Sequence, residues 1–331
     1  MEILFNDSIP ITAWQEFLSR NAHATPFQSP GFYKLFNSVK SLSAQAVAVL
    51  DSGSLKALAV ITFQQEPGIK GFFSRRAIVY GGPLIDDPYP EAIGKLLEEI
   101  SNTIGGRAIY SEIRNFSAYS ISKDIFINYG YTHIPYLNFR VSTGKMEAIL
   151  KGISSSRLRQ IKKANRNSVT WKEAQNIYEV KLFYDILSNL YKNKIAKPLL
   201  PFGFFRNFFE SGLGKYLLVW YESKIIGGIM CPIMDGKAIY EFYVCGLDNE
   251  YKEQYPSVMA TWAAMEYATQ NNIPVFDFMG AGKPDEHYGV REFKARFGGD
   301  LVNYGRFLRI NKPIMYRIGK KALRISKSIS R

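Results

Sequence analysis

Two residue types are scarce. The chain of 331 residues has two cysteines and three histidines. Cys231 and Cys245 each lie in an apolar, strand-like run and read as small core residues. With no CxxC spacing and no Cys/His cluster, a disulfide framework and a zinc site are excluded, and a reducing cytoplasm is the expected compartment. His23, His133 and His287 are far apart in sequence, so no histidine metal site is expected. No window approaches the ~18 apolar residues of a membrane span. The opening MEILFNDSIP lacks a basic stretch followed by an apolar one, so no signal peptide is read there. Acid is short as well: 42 Lys and Arg against 29 Asp and Glu leave a net charge of +13.

That imbalance permits tRNA, nucleotide-linked substrates or anionic lipid as partners and selects none of them. Its placement says more than its size. One cluster runs from Arg157 to Arg166, and the other from Arg306 to Arg331, a tail without a single acid. The tail interleaves its cations with Ile310, Ile314, Met315, Ile318, Leu323 and Ile325. It reads as an amphipathic helix for an anionic membrane, a grip on tRNA, or a cationic helix docked on the body of the protein.

What is abundant is apolar: 47% of residues are hydrophobic, enough for a large core, and the length favours about two domains. The order of signals repeats. Residues 46–50 and 55–63 flank the turn Asp51-Ser52-Gly53-Ser54, as 216–221 and 225–233 flank Glu222-Ser223-Lys224. A strand ending near Gly81-Gly82 precedes a helical run over 89–103. A strand ending near Gly246 precedes one over 257–271. Strands over 108–114 and 275–279 follow, and runs over 131–141 and 301–310 close each copy. The offset stays at roughly 160–170 residues, the mark of an internal duplication. The expectation is α/β (α+β): two lobes, each a mixed sheet flanked by helices, over 1–143 and 144–310, a basic tail over 311–331, and a cleft between the lobes. Helices are expected over 145–165, interrupted near Ser154-Ser155-Ser156, and over 177–194 and 203–211.

Three stretches resemble the FemAB aminoacyltransferases. They are Arg157-Leu158-Arg159-Gln160-Ile161-Lys162-Lys163-Ala164, the pattern Tyr243…Gly246…Asp248…Tyr255-Pro256…Trp262-Ala263…Phe276-Asp277-Phe278, and Phe293-Lys294-Ala295-Arg296-Phe297-Gly298-Gly299. The resemblance implies two domains of the GNAT acetyltransferase fold and transfer of an aminoacyl group to an amine in peptidoglycan or envelope-glycan synthesis. It implies aminoacyl-tRNA as donor, a nucleotide- or lipid-linked glycan or peptide as acceptor, and no tightly bound cofactor. It also puts the family's functional Phe-Lys pair on Phe293 and Lys294, and binding of a nucleotide-linked precursor near Arg157, Arg159 and Lys162.

The residues themselves supply candidates. An attacking amine needs no nucleophilic side chain, only a proton acceptor and charge stabilisation. Lys294 is the candidate for holding an oxyanion or phosphate oxygen, with Phe293 beside it; a lysine snorkelling from a packed segment is the alternative. Glu241 and Asp277 are the candidate proton acceptors, or else a buried, hydrogen-bonded pair. Alternation places Glu241 and Tyr243 on one strand face, where Tyr243 can orient the acceptor. Arg157, Arg159 and Lys162 suit a phosphate-rich ligand or a solvated helix face. Tyr255, Tyr288 and Arg291 complete the substrate-binding set. Gly280-Ala281-Gly282 suits close approach of a ligand or a plain turn.

One absence separates the donors. Acyl-CoA enzymes of this fold cradle pyrophosphate on a glycine-rich turn opening a helix. Here that place reads Glu250-Tyr251-Lys252-Glu253-Gln254-Tyr255-Pro256-Ser257, with no glycine and a proline lacking an N–H. This favours aminoacyl-tRNA over acyl-CoA. An acyl-CoA-dependent N-acetyltransferase for an amino sugar or lipid, and a non-catalytic binding protein, are the competing readings.

Overall fold

The computed structural model describes residues 1–66, 70–86, 89–118, 123–195 and 198–329. The chain forms two compact units, Met1–Pro135 with Tyr304–Arg331, and Tyr136–Asn303.

In the first unit, strands Leu42–Asp51 and Ser54–Gln64 make the expected hairpin, paired from Leu42↔Gln64 to Asp51↔Ser54. Ser52 and Gly53 take positive φ, as a two-residue hairpin turn demands. The sheet runs Glu2–Phe5, Leu42–Asp51, Ser54–Gln64, Arg76–Gly81, Tyr110–Asn115, Arg306–Ile310, Thr132–Ile134. Arg76–Gly81 and Tyr110–Asn115 are parallel, joined through helix Pro90–Ile104. That helix buries Ala92, Ile93, Leu96, Leu97, Ile100 and Ile104 against the sheet, an apolar row at helical spacing.

The second unit repeats the plan in the same order: Thr170–Glu173, Gly214–Tyr221, Lys224–Met234, Ala238–Tyr240, Val275–Asp277, Asn138–Ser142, Asp300–Val302. Its central helix, Pro256–Gln270, is Ala-rich and buried at eleven positions, so it sits deeper than a one-faced helix. The segment expected over 145–165 forms helices Met146–Gly152 and Ser155–Arg166. The break falls at Ser154, whose hydroxyl caps the second helix by accepting from Arg157 N–H at 3.3 Å. The run over 177–194 is helical to Leu190 and then widens into a π turn, Tyr191–Ile195.

The division differs from the expected one at 143 in an instructive way. Each closing run breaks in two. Thr132–Ile134 joins the first sheet, and Asn138–Ser142 the second; Asp300–Val302 joins the second sheet, and Arg306–Ile310 the first. Pro135, which has no N–H for a ladder, ends one run, and Gly305 at φ 68° ends the other. Each sheet therefore takes its sixth strand, in the order given, from the other half of the sequence. The tail over 311–331 continues that exchanged strand as helix Pro313–Ile329 and belongs to the first unit; residues 330–331 lie outside the described residues.

An ion cluster ties the exchanged strand into the first sheet. Glu112 accepts from Arg114 Nε and Arg306 Nη1, both at 2.8 Å. Burial by itself raises the Glu112 pKa, but the two guanidiniums outweigh it and hold the carboxyl at about 2. A carboxyl depressed in the folded state stabilises it above the ordinary carboxylate range, and that contribution fades as pH falls from about 5 towards 2. Glu112→Gln is expected to cost about 2–3 kcal/mol near neutral pH and to flatten the acid limb of the stability profile. Thermal melts of both proteins between about pH 2 and 7 check it; parallel profiles would show that Glu112 is not the titrating group.

Candidate active site

The second sheet splits at Glu241. Up to Tyr240, strand Ala238–Tyr240 is paired on both sides, with Ile233–Met234 and with Phe276–Asp277. Then the backbone divides its bonds. Glu241 N–H donates to Asp277 O at 2.9 Å, and Phe242 N–H to Met230 O at 3.1 Å. From Tyr243 the chain follows Gly227–Met230, and among the described residues the second edge of strand Tyr243–Gly246 carries no ladder. An opening results between Tyr243–Gly246 and the end of Val275–Asp277.

The bulge breaks alternation. Glu241 turns towards the central helix, where Thr261 Oγ1 donates to Glu241 Oε2 at 3.4 Å. Phe242 and Tyr243 both turn the other way, onto Phe204 and Phe205 at ring distances of 6.2 and 5.1 Å. Glu241 and Tyr243 therefore do not share a face, because two successive residues occupy one side of a bulged strand. Tyr243 packs in an aromatic wall with Phe205 and Tyr191.

Past the opening the chain makes a tight turn, Phe278-Met279-Gly280, with φ 56° at Met279 and 134° at Gly280. Two sets of side chains hold it. From one side, Asp277 Oδ1 accepts from Met279 N–H at 2.7 Å and from Asn138 Nδ2 at 2.8 Å, while Asn138 Oδ1 accepts from Gly280 N–H at 2.7 Å. From the other, Lys294 Nζ donates to Phe278 O and Gly280 O, both at 2.8 Å, and pairs with Glu241 Oε1 at 2.9 Å. Glu241, Asp277 and Lys294 are all buried. Burial raises the pKa of both carboxyls, and the Lys294 ammonium pulls Glu241 partway back. Arg140 Nε stands 3.5 Å from Asp277 Oδ2.

This geometry revises several expected roles. An ammonium has three N–H donors, and Lys294 spends all three on Glu241 and the turn. None remains for an oxyanion, so Lys294 positions the rim of the opening. Arg157 is buried between the Phe293 and Phe297 rings, 4.4 and 4.5 Å from their centroids, and donates to Gln160 Oε1 and Phe293 O. Burial, then Arg296, push its pKa down to about 10. Arg157 packs on Phe293 and Phe297, with its buried Nε lacking a hydrogen-bond partner among the described residues, and Arg159 and Lys162 are exposed on the same helix. Arg291 donates to the carbonyls of Ala281, Lys283 and Pro284, which locks the loop beyond the turn. Tyr288, partly exposed, covers Gly282, where an added Cβ would lie 2.8 Å from its ring.

The N-terminus of the central helix is already closed. Asp248 accepts from Ser257 N–H at 3.1 Å and from the Ser257 hydroxyl. Tyr255 precedes the helix at φ 49°, and Pro256 occupies its first position. A carboxylate thus fills the place where a pyrophosphate would need free N–H groups.

The first unit has a matching split, where Arg76–Gly81 and Leu84–Ile85 both pair with Ser54–Gln64. It is filled from within. Gln28, fully buried, donates to Gly82 O at 2.9 Å, and a Cβ on Gly81 would lie 2.5 Å from Gln28 Nε2. The carboxylate–lysine pair nearest to it, Asp86 with Lys56 at 3.5 Å, is partly exposed just past Leu84–Ile85, where Arg20 also reaches Asp86, and unlike the Glu241–Lys294 pair it is not buried. Of the residues that build the second site, Asn138, Arg140 and Thr261 were not singled out from sequence, and Asp248 appeared there only as part of the FemAB-like pattern. Asn138 and Arg140 carry a local signal, polar side chains on a closing strand, but their place depends on the strand exchange.

Comparison with known proteins agrees with the motifs. Residues 228–323 match the FemAB family, and this stretch holds the split strand, the central helix and Lys294. The crystal structure of FemX superposes with a TM-score of 0.71 at 15% identity, covering 96% of this chain and 100% of that one. L-PGS from Bacillus licheniformis gives 0.56 at 11% identity, covering 97% of each chain. A tandem GNAT protein from the clavulanic acid biosynthesis pathway gives 0.54 at 9%, covering 93% and 98%. At these identities the likeness establishes the fold, two GNAT-type units in tandem. No curated protein matches the chain in sequence.

Proposed function

We propose that this chain, FemAB-type over residues 228–323, transfers an aminoacyl group from aminoacyl-tRNA to an amine at the opening in its second sheet, in the synthesis of the bacterial cell wall or an envelope glycan. The observation that carries this reading is the pairing of an open strand edge with a rigid, positively anchored turn, beside a helix N-terminus that Asp248 has closed. The free edge of Tyr243–Gly246 offers backbone groups to an extended substrate. The Phe278–Gly280 turn, gripped by Asp277, Asn138 and Lys294, fixes the opposite rim, and preorganisation of this kind lowers the cost of orienting two substrates.

In the reaction the acceptor nitrogen attacks the ester carbonyl. The C–N bond forms, the C–O bond to the ribose breaks, and one amine proton ends on the released hydroxyl. Direct attack requires no covalent enzyme intermediate. Glu241, with its pKa raised by burial, is the residue on this rim suited to share that proton. Arg159 and Lys162, exposed and cationic, suit the phosphate backbone of the donor or the pyrophosphate of a nucleotide-linked acceptor. The closed helix N-terminus supports tRNA over an acyl-CoA donor, and the reaction belongs in the cytoplasm, where charged tRNA is found.

The test offers the purified protein charged tRNA or, separately, acyl-CoAs, each with amine-bearing cell-wall precursors and amino sugars, and reads products by mass. Product from charged tRNA alone is expected. Product from the thioester alone would transfer the proposal to an N-acetyltransferase, and no product from either, with ligand binding retained, would support a binding protein.

A further inference from the structure

The first unit carries a surface that acyl transfer does not use. Helix Pro313–Ile329 is fastened along one side: the Tyr316 ring meets Tyr110 at 5.5 Å, and Gly319 lies over the Phe73 carbonyl, where an added Cβ would come within 3.2 Å. The side turned outward is apolar where it should be polar. Ile314 is 70% exposed and Ile318 47%. The neighbouring helix Lys70–Ser74 adds Phe72, 56% exposed, and Phe73, 40% exposed, packed edge to face. A helix docked only for stability would bury such residues.

Cations border this patch. On the described part of the helix Arg317, Lys320 and Lys321 are exposed, and no acid lies among residues 313–321. Beside it lies a cavity of about 350 Å³ lined by Lys40, Arg75, Arg76 and Arg107, again without a carboxylate. Arg75 joins the two features, since its guanidinium sits 5.1 Å from the Phe72 ring centroid. Its Nε is buried with no hydrogen-bond partner among the described residues. Three guanidiniums and an ammonium lining one cavity with no carboxylate suit an anionic oxygen.

We propose that this face docks on an anionic lipid bilayer, with Ile314, Ile318, Phe72 and Phe73 entering the interface and the Arg75–Arg107 cavity receiving a lipid phosphate. Cations alone would suit nucleic acid equally. The apolar row between them decides for lipid, because an interfacial helix combines a buried apolar side with flanking Lys and Arg. The inference stands on the first unit alone and does not depend on the acyl-transfer reading.

The full-length protein is to be sedimented with vesicles of phosphatidylcholine, with and without phosphatidylglycerol. Binding is expected only with phosphatidylglycerol. Ile314→Ser with Ile318→Ser, both exposed and so neutral for folding, is expected to weaken it by at least about tenfold. Arg75→Ala with Arg107→Ala is expected to erase the preference for the anionic lipid while a melt confirms the fold. No binding to anionic vesicles would overturn the proposal. So would unchanged binding by the isoleucine variant, or a lipid-free parent that sediments as a dimer while that variant sediments as a monomer. Loss of tRNA binding in the arginine variant, with vesicle binding intact, would also overturn it.

Discussion

Lys294→Ala is expected to destabilise the second unit by about 3–5 kcal/mol, because it strands a buried carboxylate. Glu241 is 6% exposed, and its Oε1 has Lys294 as ion partner at 2.9 Å. The same change frees Phe278 O and Gly280 O, so the turn loses its grip on the carbonyl side while keeping Asp277 and Asn138 on the N–H side. The pH dependence has a definite sign. Burial already raises the Glu241 pKa, and removing the ammonium raises it further. The folded protein then prefers the protonated acid, so the variant is least impaired below the ordinary carboxylate pKa and loses stability as pH rises through the raised value. Adding Glu241→Gln to Lys294→Met is expected to recover part of the loss, since no charge is then buried unpaired. Denaturant melts of the two variants at about pH 5 and 8 decide it. A Lys294→Ala protein that melts like the parent at both values would remove the pair from its structural role.

Deleting residues 304–331 is expected to unfold the first unit and leave the second intact. The deletion takes out strand Arg306–Ile310 from between Tyr110–Asn115 and Thr132–Ile134, which orphans both ladders. It also removes Phe307, 1% exposed and stacked on Phe126 at 4.0 Å. Loss of one such phenylalanine costs about 3–5 kcal/mol, and the lost ladder and the Glu112–Arg306 ion pair add to it. Together these reach the roughly 5–15 kcal/mol that typically stabilises a domain. All strands of the second sheet lie within 136–303, so that segment alone is expected to fold. Proteolysis of the truncated chain is the readout. Rapid loss of the first 135 residues with a protected fragment over 136–303 is expected, and equal protection of both units would contradict the strand exchange.

The sequence made the repeated plan legible because hairpins, helices and parallel strands are local patterns that need no knowledge of pairing. The hairpin at Ser52-Gly53 and the helix over 90–104 follow directly from turn chemistry and spacing. Strand exchange is non-local, and nothing in the runs 131–141 or 301–310 says which sheet each half joins beyond the interruptions at Pro135 and Gly305. The site was half legible for the same reason. Lys294, Glu241 and Asp277 stand out as charges in apolar surroundings, and they do converge. Their division of labour depends on a bulge at Glu241–Phe242 that alternation hides, and on Asn138, which arrives by the exchanged strand. Arg157 and Arg291 read from sequence as ligand-binding cations. In the fold the donors of Arg291 go to carbonyls, and Arg157 gives its two Nη groups to a glutamine and a carbonyl while its buried Nε finds no partner among the described residues; composition cannot distinguish these uses.

The central claim is that the acyl group is held at the split in the second sheet and not at its filled counterpart in the first. A charged tRNA bearing a photoreactive aminoacyl group, cross-linked to the protein and mapped by mass spectrometry, measures this directly. Adducts on Tyr243–Gly246 and the Phe278–Gly280 turn are predicted, and their loss on competition with ordinary charged tRNA. Adducts concentrated around Gly81–Leu84 would place the chemistry in the other unit and contradict the account.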